Sequence, residues 1–497
     1  MNVQVTASRP EDIAVDTLVV FTTSYDAIPR GAMKSLDDAS GNILSTLLDS
    51  EEFSGASGET VTLYRPDGYS CGRVIVAGLG AKQDVDADSF RRAMGVVSRM
   101  KGIRSVGRAA LSFDAHLEPA NVGAAVEGYL LGSFKLLNYK TGDDSSLDTK
   151  LESLEILVDK KSGARKFESA AERGKIIAEG QILARRLSAT PANDLTPKKY
   201  AKEAQRLAKE FGFSCTVLDE KAIAKEKMGG VIAVGQGSAE PPRFLILEHK
   251  GRNDKQAPIV LVGKGVTFDT GGISLKPSLN MHEMKQDMTG SAVVLATLVT
   301  AARLGVKRNI VGLIPATENM PSGTAIKPGD IITMRKGKTV EIINTDAEGR
   351  LILADALDYA NKYKPQAVID IATLTGACLF ILGYAGAPFV GNNSKLTDLI
   401  REAAANTAER VWEMPLWDDF KQAMKSDIAD LVNSGGRPAG TLTAAGFLSN
   451  FVGDWPWAHI DIAYMDMEPK GTPYTPKGAS GFGVRLLVDV LANWKKV

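Results

Sequence analysis

The sequence predicts an α/β protein of two domains: a smaller N-terminal α/β domain and a larger C-terminal α/β/α domain with a central sheet, mostly parallel or mixed. Length is the first reason, because 497 residues exceed what one ordinary hydrophobic core organises. The second reason is that short apolar runs alternate with helical stretches along most of the chain. Strands separated by helices favour a parallel sheet covered by helices on both faces.

The N-terminal domain is predicted over residues 1–160. Within it, the apolar runs Asp16–Phe21 and Arg73–Gly78 have the composition of buried strands. A polar break at residues 159–163 separates this domain from the rest of the chain.

A connecting helix and linker are predicted over residues 161–192. Apolar and small residues recur at three- and four-residue steps from Arg165 to Leu187, which indicates one uninterrupted helix. Pro191 and Pro197 then prevent the helix from continuing.

The larger domain is predicted over residues 193–497. Four apolar runs are typical of buried strands: Arg243–Glu248, Ile259–Gly263, Asn309–Pro315 and Ala367–Ala372. Helical stretches at 291–304 and 353–363 lie between them. In open α/β sheets ligands bind beyond the carboxyl ends of the strands, and the charged clusters of this sequence follow strands in that way.

Charge and cysteine content narrow the class of protein. Lysine plus arginine and aspartate plus glutamate both number 59, so the net charge of zero gives no support to binding of nucleic acid or anionic membranes. The three cysteines form neither a disulfide framework nor a metal knuckle, which favours a reducing compartment. No signal pattern and no apolar run of ~20 residues is present, so we expect a cytoplasmic protein without membrane partners.

The densest cluster of chemistry is the stretch Asn344–Leu351. Asp346, Glu348 and Arg350 are spaced two residues apart, and in an extended backbone they would point to one side. A strand-like run precedes them and a helical run comes after, with Gly349 expected to relax the backbone between the two. Two carboxylates this close repel each other unless a cation lies between them, so a metal site is indicated.

A second cluster comes directly after the predicted strand at 259–263. Residues 262–276 contain four glycines within ten positions, which predicts a loop that bends around a ligand. A phosphate cradle is the rival interpretation, but the Gly-Lys-Ser/Thr pattern is absent and Asp269 would repel a phosphate. Further along, Asp287 lies just before a predicted helix.

Together these clusters make an acid-rich site with interspersed cations: Lys264, Asp269, Lys276, Asp287, Asp346, Glu348 and Arg350. Four carboxylates indicate two divalent metals about 3.5–4 Å apart, joined by bridging carboxylates. The four histidines show no metal-binding spacing, so we expect them in the core or on the surface: His116, His249, His282 and His459.

At these residues the sequence resembles the leucyl aminopeptidase family, the M17 cytosol aminopeptidases. The stretch Asn-Thr-Asp-Ala-Glu-Gly-Arg-Leu at 344–351 is identical to the signature of that family. Residues 262–272, 370–377 and 478–485 also resemble its motifs, in the same order. The similarity is dense from Asn193 onwards, so residues 193–497 are predicted to form a catalytic dinuclear metallopeptidase domain.

The resemblance implies specific roles for residues of this chain. Asp269 and Glu348 would contact both metals, Asp346 would complete the shell of the first, and Lys264 and Asp287 that of the second. Lys276 would stay cationic and stabilise the oxyanion, and Arg350 would hold a bicarbonate ion that accepts a proton from the attacking water. Five residues would bind the substrate: Met284, Asn344, Thr373, Gly376 and Ala377.

The implied activity is removal of unblocked N-terminal residues from peptides, with Leu and other apolar residues preferred. Mn²⁺ or Zn²⁺ and bicarbonate are the implied cofactors, and a homohexamer is the implied assembly.

Two alternative functions belong to different classes of protein. A DNA-binding regulatory role would use residues 91–108, which contain six basic residues and no acid, although a solvated helix face explains that run more simply. A two-metal phosphoesterase would need a phosphate-directed Arg or His set that the sequence lacks.

Overall fold

In a computed structural model of the chain, the described residues are 1–136, 139–141, 150–160, 163–251 and 256–497. Residues 161 and 162, which belong to the predicted polar break, lie outside them. The chain forms two compact units. The N-terminal unit comprises Met1–Glu179 and Lys470–Lys477, and the C-terminal unit comprises Gly180–Pro469 and Gly478–Val497.

The N-terminal unit is built on a six-stranded sheet in the order β1-β6-β5-β2-β4-β3. Its strands are β1 (Asn2–Ala7), β2 (Thr17–Thr22), β3 (Thr60–Tyr64), β4 (Arg73–Gly78), β5 (Arg108–Ser112) and β6 (Ser153–Val158). Only β3 among these strands pairs antiparallel. The central strand β2 is buried along its whole length, as the apolar run at 16–21 predicts.

Helices that accompany this sheet among the described residues include α1 (Ala32–Ala39), α2 (Ile43–Asp49), α3 (Ala87–Val97), α4 (Lys101–Arg104) and α5 (Pro119–Ser133). Asp86 caps α3 by accepting a hydrogen bond from the backbone N–H of Ser89, whose hydroxyl accepts one in return. The helices α3 and α5 pack together over a core that includes Phe21, Phe90 and Phe113, whose ring centroids lie 5.0–5.5 Å apart.

The basic run at 91–108 does not form the solvated helix face that the sequence predicts. It is divided among α3, α4 and β5, so it does not form a single helix face. Arg91 is buried, and it donates to Glu127 at 2.8 Å and to Asp88 at 2.6 Å. Arg108 pairs with Glu155 at 2.6 Å. Asp88 of the same helix and two acids from other elements, Glu127 and Glu155, thus neutralise part of the run.

The segment Lys470–Lys477 contributes to the N-terminal unit from far along the chain. The guanidinium of Arg99 donates to the backbone oxygen of Thr472 at 2.7 Å, and the Tyr474 hydroxyl donates to Asp88 at 3.0 Å. A β-carbon at Gly95 would lie 2.5 Å from the oxygen of Pro473, so the glycine is what permits this close approach.

A single long helix, α6 (Ala164–Ala189), runs through the predicted connector, and the helix predicted from Arg165 to Leu187 is confirmed. The division between the two compact units falls within it, between Glu179 and Gly180.

The C-terminal unit contains a nine-stranded mixed sheet in the order β16-β15-β18-β14-β9-β11-β8-β7, with β10 also paired to β11. These strands are β7 (Ser214–Leu218), β8 (Arg243–Lys250), β9 (Ile259–Gly263), β10 (Gly265–Asp269), β11 (Asn309–Asn319), β14 (Ala367–Ala372), β15 (Ala387–Gly391), β16 (Val411–Glu413) and β18 (Trp457–Asp461). Two small sheets are formed by β12 (Ile331–Thr333), β13 (Thr339–Glu341) and β17 (Leu431–Val432), and by β19 (Met467–Glu468) and β20 (Gly478–Ala479). The predicted mixed α/β architecture is confirmed.

Helices cover the sheet: α7 (Pro197–Phe211), α8 (Glu220–Lys225), α9 (Gly229–Gly235), α10 (Thr289–Arg303), α11 (Gly349–Ala360), α12 (Ser394–Thr407), α13 (Asp418–Gln422), α14 (Gly440–Ser449) and α15 (Val484–Ala492). The helix α10 packs against α7 and α15, whereas α11 packs against α9 and α14. Every residue of α11 is buried, because the helix is apolar on nearly all sides and many of its residues belong to one core cluster of the C-terminal unit.

Strands β9 and β10 pair with successive stretches of β11, and Lys264 lies at the break between them. The loop predicted for residues 265–269 is therefore wrong, since these residues continue the sheet. Strands β9, β10, β14 and β18 run parallel through their shared pairings, so their carboxyl ends meet at one edge. Among the described residues, no helix combines the length and apolarity that crossing a bilayer requires.

Candidate metal centre

Three carboxylates converge at the carboxyl edge of the large sheet. Asp269 is the last residue of β10, Glu348 directly precedes α11, and Asp346 lies in the turn between β13 and that helix. One oxygen from each of the three lies within 4.8 Å of the others. The extended backbone predicted for residues 346–350 is wrong, because Glu348 is helical (φ −76°, ψ −38°) and Arg350 belongs to the first turn of α11.

The side chain of Lys264 completes one end of this cluster. Its Nζ lies 2.8 Å from Asp287 Oδ1 and 2.8 Å from Glu348 Oε1. The same atom donates a hydrogen bond to the backbone oxygen of Thr373 at 2.9 Å. The break between β9 and β10 turns this lysine into the interior, where only 3% of it is exposed.

Gly349 provides the space for Lys264. A β-carbon at position 349 would lie 2.6 Å from Cε of the lysine, closer than real contacts allow. The sequence pattern predicts that this glycine relaxes the backbone. The structure gives a different reason. Residue 349 is helical, and because glycine has no side chain, Lys264 can pack directly against it.

Lys276 lies at the other end of the cluster. Its Nζ is 2.8 Å from Asp269 Oδ2 and 2.5 Å from Asp346 Oδ1. The bend that brings it there is confined to residues 270–276, where Gly271 and Gly272 adopt positive φ angles of 86° and 66°. A β-carbon at Gly271 would also lie 2.7 Å from Asp346 Oδ1.

Asn319 supports the cluster, and the sequence motifs do not include it. Its Nδ2 donates to Asp269 Oδ1 at 2.9 Å and to the backbone oxygen of Thr345 at 3.1 Å. The Thr345 hydroxyl in turn donates to the backbone oxygen of Gly271 at 2.6 Å. The only local signal for Asn319 is a polar residue at the end of an apolar strand, which is too common to single it out.

Two carboxylate oxygens of this cluster fit a metal site because they lack other partners. No described residue donates a hydrogen bond to Oδ2 of Asp287 or to Oε2 of Glu348, and both atoms are buried. A buried acceptor left unpaired costs about 1–3 kcal/mol, and more when it is charged. Oxygen ligands of this kind are those that divalent cations prefer.

The electrostatics of the cluster point the same way. Burial raises the pKa of Asp346 to about 6, with Asp269 and Glu348 adding to the rise and Lys276 opposing it. Burial also raises the pKa of Asp287 well above its usual range, against the effect of Lys264. For both lysines burial lowers the pKa, but the facing carboxylates outweigh it and the net pKa is raised. The site therefore stabilises added positive charge.

Arg350 is a buried cation beside these acids. Burial lowers its pKa to about 10, while Glu348 and Asp461 raise it, so the guanidinium stays charged at neutral pH. Its Nε has no hydrogen-bond partner among the described residues. A buried guanidinium with an open donor that lines a cavity suits an anionic ligand.

A cavity of about 640 Å³ unites the predicted residues. All twelve residues named from the sequence line it: Lys264, Asp269, Lys276, Met284, Asp287, Asn344, Asp346, Glu348, Arg350, Thr373, Gly376 and Ala377. The structure thus brings them to one place, and their individual roles stay predictions.

The loop after β14 is held by Asp461, a second residue outside the predicted set. Its Oδ1 accepts from the backbone N–H groups of Leu374 at 3.0 Å and Thr375 at 3.3 Å. Its Oδ2 accepts from the Thr375 hydroxyl at 2.7 Å. Because Thr373 also donates to Asp287 at 2.8 Å, this loop couples the cavity wall to the acidic cluster.

No histidine is among the described residues that line the cavity. His459 is buried, with Nδ1 2.5 Å from Asp370 Oδ1, and Trp457 donates to the other oxygen of that aspartate at 2.6 Å. His249 is buried against the backbone oxygen of Val306, whereas His282 is exposed.

Comparison with known families identifies the chain. The catalytic domain of the cytosol aminopeptidase family, M17, matches residues 182–488, and the N-terminal domain of the same family matches residues 19–143. This chain belongs to the cytosol aminopeptidase family. The resemblance drawn from the sequence motifs is thereby confirmed, and membership supports a peptidase hydrolase with aminopeptidase activity.

Relatives in this family match along almost the whole chain. A probable cytosol aminopeptidase of Syntrophotalea carbinolica is 45% identical over 465 residues, covering 92% of this chain and 93% of that protein. One from Chlorobaculum tepidum is 44% identical over 511 residues, covering 99% and 100%.

A solved relative shares the fold. The bottromycin maturation enzyme BotP in complex with Mn superposes with a TM-score of 0.84 at 32% identity, covering 96% of this chain and 99% of that one. The acidic cluster described above therefore fits divalent metals, in a family that depends on metals.

Proposed function

We propose that the chain removes unblocked N-terminal residues from peptides, with leucine and other apolar residues preferred, and that it serves peptide turnover in the cytoplasm. The observation that carries this proposal is the convergence of Asp269, Asp346 and Glu348 on one cavity of a cytosol aminopeptidase fold. Two divalent cations, Mn²⁺ or Zn²⁺, would supply a water of lowered pKa and a Lewis acid for the peptide carbonyl.

Five residues would hold these cations. Asp269 and Glu348 would contact both, Asp346 would complete the first set of ligands, and Lys264 and Asp287 would complete the second. The unpaired oxygens of Asp287 and Glu348 support this assignment. Lys264 must lose its proton to act as a ligand, and dications facing the same carboxylates would favour that loss.

Lys276 and Arg350 would act directly on the reaction. Lys276 keeps its proton, because two carboxylates lie within 2.8 Å of its Nζ, and it would donate to the developing oxyanion of the scissile carbonyl. Arg350 would hold a bicarbonate ion through its open donor, and the bound anion would supply a general base beside the metals.

The substrate's first side chain would lie against the cavity wall. Met284, Asn344, Thr373, Gly376 and Ala377 line this wall, and the methionine and alanine make part of it apolar. An apolar pocket discriminates weakly, by roughly 10–200-fold per methylene, so broad specificity is expected.

Two further parts of the proposal concern assembly and DNA. By family resemblance we propose a homohexamer, which light scattering tests as a mass about six times that of the 53.0 kDa chain.

A DNA-binding role is the alternative function. The basic run at 91–108 motivates it, but the ion pairs of Arg91 and Arg108 reduce the positive charge that the run offers to DNA. A band shift on duplex DNA that weakens with added salt would favour that alternative.

The proposed activity is tested with Leu-p-nitroanilide and metal-stripped protein. Restoring Mn²⁺ or Zn²⁺ should restore release of p-nitroaniline, while N-acetyl-Leu-p-nitroanilide should stay intact because its amine is blocked. Hydrolysis of the blocked substrate, or full activity of the stripped protein, would contradict the proposal.

A further inference from the structure

One part of the cavity wall carries hydrogen-bond acceptors that the proposed metal chemistry does not use. Glu283, Gln286 and Asp466 all line the same cavity as Asp269 and Glu348. We call these three residues the acceptor set. None of the three is marked by a sequence motif, because Glu283 and Gln286 lie at least 180 positions before Asp466 in the chain.

Gln286 supplies a buried acceptor with an open position. Only 6% of the residue is exposed, and its Nε2 is engaged with the sulfur of Met467 at 3.6 Å. No described residue donates a hydrogen bond to its Oε1. A buried amide oxygen on a cavity wall is stabilised when a ligand brings it a donor.

Asp466 is a carboxyl group that has two other acids, Glu283 and Asp461, among its charged neighbours. Burial, with a smaller contribution from the carboxylates of Glu283 and Asp461, raises its pKa to about 7, against the backbone N–H groups of Tyr464 and Asp466 itself. A cation placed beside this group would remove both the repulsion and the cost of ionising it.

The two lysines that line the cavity do not neutralise the acceptor set. Lys264 and Lys276 each lie within 2.8 Å of two carboxylates of the metal centre, so their charge is already matched there. The acids of the acceptor set are therefore not among the carboxylates with which these lysines pair.

The surroundings of the acceptor set suit a long alkyl stem. Met281, Met284 and Met467 line the same cavity. Methionine side chains adapt their shape to an unbranched chain, and lysine and arginine bury such a stem while the charged head stays among polar groups.

We propose that the acceptor set binds the charged head of a basic first side chain, so that the chain removes N-terminal lysine and arginine in addition to apolar residues. The side chains of lysine and arginine donate several hydrogen bonds and accept none. They therefore match a surface that offers three hydrogen-bond acceptors. This inference rests on the proposed aminopeptidase function and specifies part of its substrate class.

The test compares Lys- and Arg-p-nitroanilide with norleucine- and Leu-p-nitroanilide on the metal-loaded enzyme. Norleucine has the length of the lysine stem without its charge, so the kcat/KM ratio of Lys over norleucine isolates the charged head. Asp466→Asn should lower that ratio by roughly 10–100-fold, since one charge-assisted contact is lost. Asp427→Asn is the matched control, because Asp427 is an exposed acid outside the cavity lining, and it should leave the ratio unchanged.

A second variant tests the inference even if the Asp466→Asn protein fails to fold. Glu283→Gln should lower the same ratio, by a smaller factor, whereas a general folding defect lowers kcat/KM for both substrates and leaves the ratio intact. The inference would be overturned if the enzyme cleaves Leu-p-nitroanilide but neither variant changes the Lys-to-norleucine ratio of kcat/KM. The proposed function would still stand in that case. Absence of hydrolysis for all four substrates would overturn both.

Discussion

Gly349 lies so close to Lys264 that a single added carbon would come 2.6 Å from Cε of the lysine. In most helices a glycine-to-alanine change is stabilising, by about 0.5–1 kcal/mol, because glycine loses more conformational freedom on folding. Here the same change would push the lysine away from Asp287 and Glu348, to which it is bound at 2.8 Å.

We therefore expect Gly349→Ala to lower metal affinity and turnover by roughly 10–100-fold, as displaced metal-site neighbours usually do. Metal content by mass spectrometry and kcat on Leu-p-nitroanilide measure both effects. Gly323→Ala is the control, because a β-carbon there meets nothing within 4 Å. Unchanged metal affinity in Gly349→Ala would show that Lys264 is not a ligand.

Lys276 and Glu348 should separate chemistry from metal retention. Lys276→Ala should keep its metals and lose roughly 100–1,000-fold in kcat, the usual cost of removing one oxyanion donor. Glu348→Ala should lose both metals and turnover, because it removes a carboxylate that is proposed to contact both of them. Glu402→Ala, at an exposed glutamate of α12, provides the control. A Lys276→Ala protein that binds no metal would show that the lysine has been given the wrong role.

Asn319 should matter without touching substrate. Asn319→Leu keeps a similar volume but removes the donor that fixes Asp269 Oδ1 at 2.9 Å. Support of this kind typically accounts for roughly 10–100-fold in metal affinity. Competition with a metal-binding dye gives the dissociation constants. Equal constants for wild type and variant would mean that Gly271, the other donor to that oxygen, suffices alone.

Asp355 should make stability depend on pH. Its carboxylate accepts from the backbone N–H groups of Val231 at 3.0 Å and Arg335 at 2.9 Å, yet burial raises its pKa to about 7 from an ordinary 3.8. The folded state thus holds this proton more tightly than the unfolded chain. The resulting stabilisation is complete below the unfolded pKa and is lost as pH rises through about 7.

Relative to Asp355→Asn, the wild-type free energy of unfolding should fall by up to roughly 4 kcal/mol between about pH 4 and pH 8. Urea unfolding followed by tryptophan fluorescence reports on the right unit, since all five tryptophans lie in the C-terminal unit: Trp412, Trp417, Trp455, Trp457 and Trp494. Asp427→Asn should retain the wild-type pH dependence. A difference between wild type and Asp355→Asn that is the same at every pH would refute the assignment.

The sequence predicts which residues of the candidate site lie close together, but it does not predict the backbone conformation that brings them there. Asp346, Glu348 and Arg350 are close in the chain, so their grouping is visible, but the extended geometry assumed for them is wrong. In the structure, a turn followed by the first turn of a helix brings these side chains together. The spacing of the residues in the sequence does not distinguish this backbone conformation from an extended one. The role of Gly349 is hidden for a related reason, because its contact with Lys264 depends on an element 85 positions away.

Residues whose partners come from strand pairing are beyond the reach of sequence patterns. Asn319 reaches Asp269 because β11 lies beside β10, and nothing local marks that asparagine. Arg91 illustrates the opposite error, since the basic run has the composition of a solvent-facing surface, yet Glu127 of α5 lies against this arginine. The apolar runs of the sheets are predictable because burial on both faces leaves a compositional trace.

The contribution of Lys470–Lys477 to the N-terminal unit has a consequence for biosynthesis. A ribosome delivers the chain from its amino end, and domains generally fold as they emerge. The contacts of Arg99 with Thr472 and of Asp88 with Tyr474 cannot form until more than 470 residues have been translated. The part of the protein that is made first is therefore among the last to be finished.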